Sequence, residues 1–184
     1  MVQRWRRAGL PPVSIAVNLS PVQFRRQNIG KLITDALRDT GLEPSRLELE
    51  ITESIVMENS DSIVRDLNRL RKLGVRFSID DFGTGYSSFR YIKTFPVDRL
   101  KVDQSFISSM DQNVSDAAIV QAIIGLAHNL KLDVIAEGVE TEAQRTWLVD
   151  EGIGEMQGYF FSRPLPAAEF AELLRSENPI AQSA

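Results

Sequence analysis

Val75-Arg76-Phe77-Ser78-Ile79-Asp80-Asp81-Phe82-Gly83-Thr84-Gly85 is a short apolar run that ends in two adjacent carboxylates and a glycine-rich turn. Val75, Phe77 and Ile79 alternate with Arg76, Ser78 and Asp80, the period-two pattern of a strand with one apolar face. The stretch therefore predicts a strand over Val75–Asp80 with acidic groups at its C-terminal end. Five further runs have the same character: Val13–Asn18, Leu47–Thr52, Leu100–Asp103, Leu132–Glu137 and Gln157–Phe161. In the second of these, Leu47, Leu49 and Ile51 oppose Glu48, Glu50 and Thr52. Helical segments fill the gaps. Ser20-Pro21-Val22-Gln23 reads as a capping box, and Gly41 suits the stop. Further helices are expected over Asp61–Leu73, from Ser115 to Leu130, from Thr141 towards Gly152, and over Ala167–Arg175.

Strand–helix alternation means a mostly parallel sheet covered by helices, an α/β architecture. Asn18, Glu50, Asp80, Lys101, Glu137 and Gln157 each sit at or near the C-terminal end of a different strand. A (β/α) barrel brings all such ends to one face. An open doubly wound sheet would use only the ends beside its switch point. The expected fold is thus a (β/α) TIM-type barrel. Such a barrel has eight strands and about 250 residues, whereas six strand runs are found in 184 residues. The domain over 1–175 is therefore expected to be a truncated barrel with about six of eight βα units, and 176–184 a frayed tail.

Hydrophobic residues make up 43% of the chain and charged residues 25%, the balance of a globular domain. There is no cysteine, which excludes disulfides, thiolate metal sites and cysteine nucleophiles. A net charge of −4 argues against general binding to DNA or RNA polymers. With no signal-peptide pattern and no apolar stretch of membrane-spanning length, a cytoplasmic location is expected.

Four carboxylates from three strand ends, Glu50, the Asp80–Asp81 pair and Glu137, would repel one another unless protons or cations intervene. Oxygen-only donors favour Mg²⁺ or Mn²⁺ over Zn²⁺. Asn18 can add a neutral carbonyl oxygen, and Lys101 can steady a water or a phosphate oxygen. This is the toolkit of two-metal phosphodiester hydrolysis. Taken alone, the Asp80–Asp81 pair reads as a turn or a helix cap; its metal role is what the family resemblance set out below implies. Gly83-Thr84-Gly85 lacks the third glycine of a dinucleotide fingerprint. Asp81-Phe82-Gly83 lacks the companions of a kinase triplet. Glu48 shares a face with Glu50 but lies deeper, as a structural ion pair would. His128 reads as a helix-terminal residue. Tyr86, Phe89 and Tyr91 read as packing or dimer-surface residues, and Trp5 with Arg4–Arg7 as an exposed helix remnant.

VNLS (Val17–Ser20), LEITES (Leu49–Ser54), DDFGTGYSS (Asp80–Ser88), LKVDQSF (Leu100–Phe106), AEGVET (Ala136–Thr141) and QGYFFSRPL (Gln157–Leu165) follow one another in order. In these segments and their spacing the chain resembles the EAL family of bacterial cyclic di-GMP phosphodiesterases. The resemblance implies two divalent ions, Mg²⁺ or Mn²⁺, and hydrolysis of cyclic di-GMP to linear pGpG. It implies that Asn18, Glu50 and Asp80 bind one ion, and that Asp80, Asp81 and Glu137 serve the second. Lys101 would act with Glu137 on the attacking water, and Gln157 and Glu140 would border the substrate. Glu53 would anchor the Asp81–Ser88 loop, which the family uses to link dimer contacts to activity. The family's Glu-Ala-Leu motif lies upstream of VNLS and is not among these residues. An alternative function is thus a catalytically inactive EAL module that binds cyclic di-GMP or a partner protein. A homodimer or higher self-association is expected.

Overall fold

A computed structural model of the chain describes residues 2–26, 28–58, 61–85, 92 and 94–176. Its framework is one six-stranded sheet with the strands in chain order: β1 (Ile15–Leu19), β2 (Leu47–Thr52), β3 (Arg76–Phe82), β4 (Arg99–Val102), β5 (Asp133–Ala136) and β6 (Glu155–Met156). Every pairing is parallel. Parallel neighbours need long crossovers, and helices with bounds among the described residues fill four of the five. These are α2 (Pro21–Arg26) and α3 (Ile29–Thr40), α4 (Glu53–Glu58) and α5 (Asp61–Leu73), α6 (Gln104–Ser109) and α7 (Val114–Leu130), and α8 (Glu142–Asp150). Two further helices, α1 (Val2–Arg7) and α9 (Ala167–Arg175), lie at the two ends of the chain.

The register sorts chemistry by face. Asn18, Glu50, Ser78, Arg99 and Asp133 form one row across five strands, while Leu19, Ile51, Ile79, Leu100 and Val134 form the next. Residues in one row of a sheet share a face, and the next row points the other way. The apolar rows meet Ile29, Ile33 and Leu37 of α3, Leu67 and Leu70 of α5, and Val120, Ile123 and Ala127 of α7 in a single core. Spacings of three and four residues place each of these sets on one helical face. The polar rows line the opposite face of the sheet, as the interior of a (β/α) barrel does.

Local signals explain most boundaries. Ser20 and Gln23 bond reciprocally, with Ser20 N–H donating to Gln23 Oε1 at 2.9 Å and Gln23 N–H donating to Ser20 Oγ at 3.3 Å. The helix expected to run on to Gly41 is broken at Asn28, whose side chain accepts from Lys31 N–H at 2.8 Å and caps α3. A short polar side chain competes for backbone donors in this way. Gly41, at φ 65°, closes α3. The expected sixth strand, Gln157–Phe161, is displaced: pairing covers Glu155–Met156, and the chain then turns. At Gly158 a Cβ would lie 2.1 Å from Val139 O, so the backbone abuts the loop after β5 and leaves the ladder.

Trp5 is also displaced from expectation. It is half-buried and stacks on Phe170 of α9 with ring centroids 5.5 Å apart. It joins Leu10, Val13, Ala171 and Leu174 in a small second core. β1 and β6 are the two ends of the sheet, and no pairing joins them among the described residues. Of the tail 176–184, only Ser176 is among those residues. No helix among them is long and apolar enough to cross a membrane.

Candidate metal and substrate site

Adjacent residues of a regular strand point to opposite faces, so Asp80 and Asp81 would normally diverge. An irregularity in β3 prevents this. Ile79 pairs with Leu100 and Phe82 with Val102, so β3 spends one residue more than β4 over this interval. Asp81 takes φ 52°, a left-handed conformation that non-glycine residues seldom adopt. Bulges of this kind re-aim side chains beside functional sites. Here Asp80, Asp81 and Glu137 each offer a carboxylate oxygen, and the three atoms lie within 4.8 Å of one another.

Lys101 sits among these groups from the next strand. Its Nζ is 2.8 Å from Glu50 Oε1, 2.7 Å from Asp80 Oδ1 and 2.6 Å from Glu137 Oε1, and its side chain is 5% exposed. Burial alone would lower the lysine pKa, but hydrogen bonds to Asp80, Glu137 and Glu50 outweigh it and raise the pKa well above its ordinary value. Lys101 is thus a fixed cation. Burial pushes the Glu137 carboxyl up; Lys101 draws it down, and Asp80 and Glu50 push it up again. Asp81 is also raised, by burial and then by the neighbouring charge of Asp80. Burial is the first cause of both shifts, and the neighbouring carboxylate charges add to it. The donor set is oxygen only, and it fits hard divalent cations.

The other expected residues fall as follows. Asn18 is exposed on β1, in register with Glu50. Gln157 Nε2 donates to Glu137 Oε1 at 2.6 Å. Glu140 borders a cavity of about 610 Å³ that also reaches Asp81, Glu137 and Gln157. Glu53 Oε1 accepts from Gly83 N–H at 2.7 Å. Its other oxygen is buried without a partner among the described residues, and a Cβ on Gly85 would lie 2.5 Å from it. Ser87 and Ser88 of the expected anchored loop, with Tyr86, Phe89 and Tyr91, lie outside the described residues. Glu48 pairs with Arg99 Nη1 at 3.0 Å, and Arg99 Nη2 reaches Glu155 Oε1 at 2.5 Å, forming a charged layer beneath the lysine. His128 lies in the last turn of α7 and lines a separate cavity with Asp133 and Glu155.

Several residues in or behind the cavity were not singled out from sequence as parts of the site. Asp103 caps α6 by accepting from Ser105 N–H at 2.9 Å and faces the cavity beside Asp81. Hydrogen bonds from Ser105 outweigh burial and hold its pKa below the ordinary value. Buried Gln144 accepts from Glu140 N–H at 2.8 Å and donates to Ile107 O at 3.2 Å, tying the loop after β5 to α6. Tyr159 and Arg163 form the outer wall. Their presence in QGYFFSRPL was visible, but their contact required the turn at Gly158.

The sequence profile of the EAL domain family matches residues 1–164. The chain belongs to the EAL family. It is 46% identical over 169 residues to the cyclic di-GMP phosphodiesterase NbdA of Pseudomonas aeruginosa, covering 92% of this EAL chain and 22% of NbdA. The EAL chain spans about a fifth to a quarter of the length of the curated relatives it matches. It superposes with TM-score 0.86 and 44% identity on the MucR phosphodiesterase of Pseudomonas aeruginosa, solved as a cyclic di-GMP complex, covering 91% of this chain and 68% of that one. A manganese and cyclic di-GMP complex of Klebsiella pneumoniae BlrP1 aligns with TM-score 0.73 and 34% identity over 82% of this chain and 39% of that one. These likenesses bear out the TIM-type α/β fold, represented here by six parallel strands.

Proposed function

We propose that this EAL chain carries the catalytic face of a phosphodiesterase that hydrolyses cyclic di-GMP to pGpG with two divalent ions, Mg²⁺ or Mn²⁺. The convergence of Asp80, Asp81 and Glu137 within 4.8 Å carries the reading. Asn18, Glu50 and Asp80 would hold one ion, and Asp80, Asp81 and Glu137 the other. When bound, the ions would polarise the phosphodiester and the attacking water and offset developing charge. The protein's own groups do the rest. Glu137 takes a proton from the water as its oxygen bonds to phosphorus. The P–O3′ bond breaks, the leaving 3′ oxygen takes a proton from solvent water to become the hydroxyl of pGpG, and Glu137 returns its proton to solvent. Lys101 keeps its charge and offers N–H donors to a phosphoryl oxygen. Gln157 orients Glu137, and Glu140 borders the dinucleotide.

The test is conversion of cyclic di-GMP to pGpG, followed by chromatography in Mn²⁺ and in chelator. Metal-dependent conversion that is lost on Glu137→Gln is expected. Tight binding of cyclic di-GMP with no conversion in any metal would instead make the chain a binding module. Conversion that persists in chelator would contradict the proposal.

A further inference from the structure

The cavity of about 610 Å³ changes character along its length. Its inner end is acidic, with Asp81, Asp103, Glu137 and Glu140. Its outer wall is built from Tyr159, Pro164, Leu165, Phe170 and Leu173, with Arg163 the one cation among the described lining residues. The Arg163 guanidinium lies over the Tyr159 ring, 4.5 Å from the centroid. This contact is a cation–π attraction that favours the guanidinium resting against the ring. No ion pair holds its N–H edges among the described residues. Arg163 is far enough along the chain from β6 to be placed by the turn at Gly158, whose Ser162 N–H and Phe161 N–H both donate to Gly158 O.

We propose that Arg163, braced on Tyr159, is a specificity-determining residue that reads the O6/N7 edge of one guanine of the substrate. This rests on the cyclic di-GMP reading above and deepens it. The inner carboxylates suit cations and the phosphodiester they carry, so the apolar outer wall is left for a base. A planar fork of donors matches the paired acceptors O6 and N7 of guanine. Adenine presents an amino donor at the position of O6 and cannot accept both hydrogen bonds. Pro164 and Leu165 offer apolar surface beside the base, and Tyr159 gives the arginine a ring face to rest on.

Calorimetric titration of the full chain with cyclic di-GMP and with cyclic di-AMP, both in Ca²⁺, tests this. Ca²⁺ binds oxygen donors without demanding rigid geometry, so affinity is read with turnover suppressed. The wild-type chain should bind cyclic di-GMP more tightly than cyclic di-AMP. Arg163→Ala should weaken cyclic di-GMP roughly tenfold or more and leave cyclic di-AMP and nucleotide-free Ca²⁺ binding unchanged. Tyr159→Leu should act in the same direction, because it removes the brace. Unchanged cyclic di-GMP affinity in Arg163→Ala would overturn the proposal. Equal weakening of both dinucleotides would also overturn it, since the arginine would then contact their shared sugar–phosphate. If the wild-type chain binds neither dinucleotide, the cyclic di-GMP reading itself fails, and this assignment fails with it.

Discussion

Lys101 is held by three carboxylates from three strands, and at 5% side-chain exposure it has little water to replace them. Removing one partner of a buried ionic set leaves uncompensated charge and typically costs about 3–5 kcal/mol. Lys101→Ala should therefore lower metal-free stability by a large part of that range. Denaturant melts in chelator measure it, and Mn²⁺ should restore part of the loss by supplying positive charge. Turnover should fall by about 10²–10⁴, the usual contribution of one positioned proton-transfer or charge-stabilising group, with less effect on Mn²⁺ affinity. A variant with normal turnover would remove Lys101 from the mechanism. The raised carboxyls make a second residue-level prediction. Because the folded pKa values of Asp81 and Glu137 lie above the ordinary ones, the metal-free protein gains stability from their protonation at low pH. That contribution is complete below the ordinary carboxylate pKa and is lost as pH rises through the raised values. Metal requires the deprotonated ligands, so the rise in Tm caused by Mn²⁺ should grow as pH climbs through this window. A rise that is constant from acid to neutral pH would contradict the assignment of these two ligands.

At the scale of elements, period-two runs and helix caps were legible because each is decided by neighbouring residues. β2 over Leu47–Thr52 and α5 over Asp61–Leu73 have the bounds that their patterns imply. What was not legible depends on partners far along the chain. The extra residue in β3 exists only against β4, and it turns two consecutive aspartates into one cluster. Gln157–Phe161 has a strand-like composition, yet its apolar residues serve a turn packed on Val139. Asn28 is a polar residue in a helical run, and only its hydrogen bond marks a new start. Asn28→Ala should cost about 1 kcal/mol, as loss of an N-cap usually does, with no effect on Mn²⁺ binding. Leu67 is fully buried between α5 and the sheet, and Leu67→Ala should cost about 2–5 kcal/mol. Equal losses in the two variants, read from denaturant melts, would contradict this division between capping and packing.

The whole molecule presents a polar inner face and two sheet ends, β1 and β6. Val17 on β1 and Phe160 beyond β6 are both exposed, and end strands offer unpaired backbone groups to other chains. This 184-residue chain should therefore self-associate at micromolar concentration, and sedimentation velocity would show it. A monomer across that range would mean that the ends are protected. The barrel character of the fold was legible in the strand-end polar residues, since Asn18, Glu50, Asp80, Lys101, Glu137 and Gln157 at or near the ends of different strands favour an arrangement in which those ends face one another. Their distances, the lysine at the centre and the arginine on the outer wall required the folded chain. The central claim is that the carboxylate cluster is a divalent-metal site, and ligand binding to the native state raises stability by mass action. Its most direct test is the melting temperature of the wild-type chain and of Asp80→Asn with and without millimolar Mn²⁺. The account predicts a clear rise in the wild type and none in the variant; equal shifts in both, or no shift in either, would contradict it.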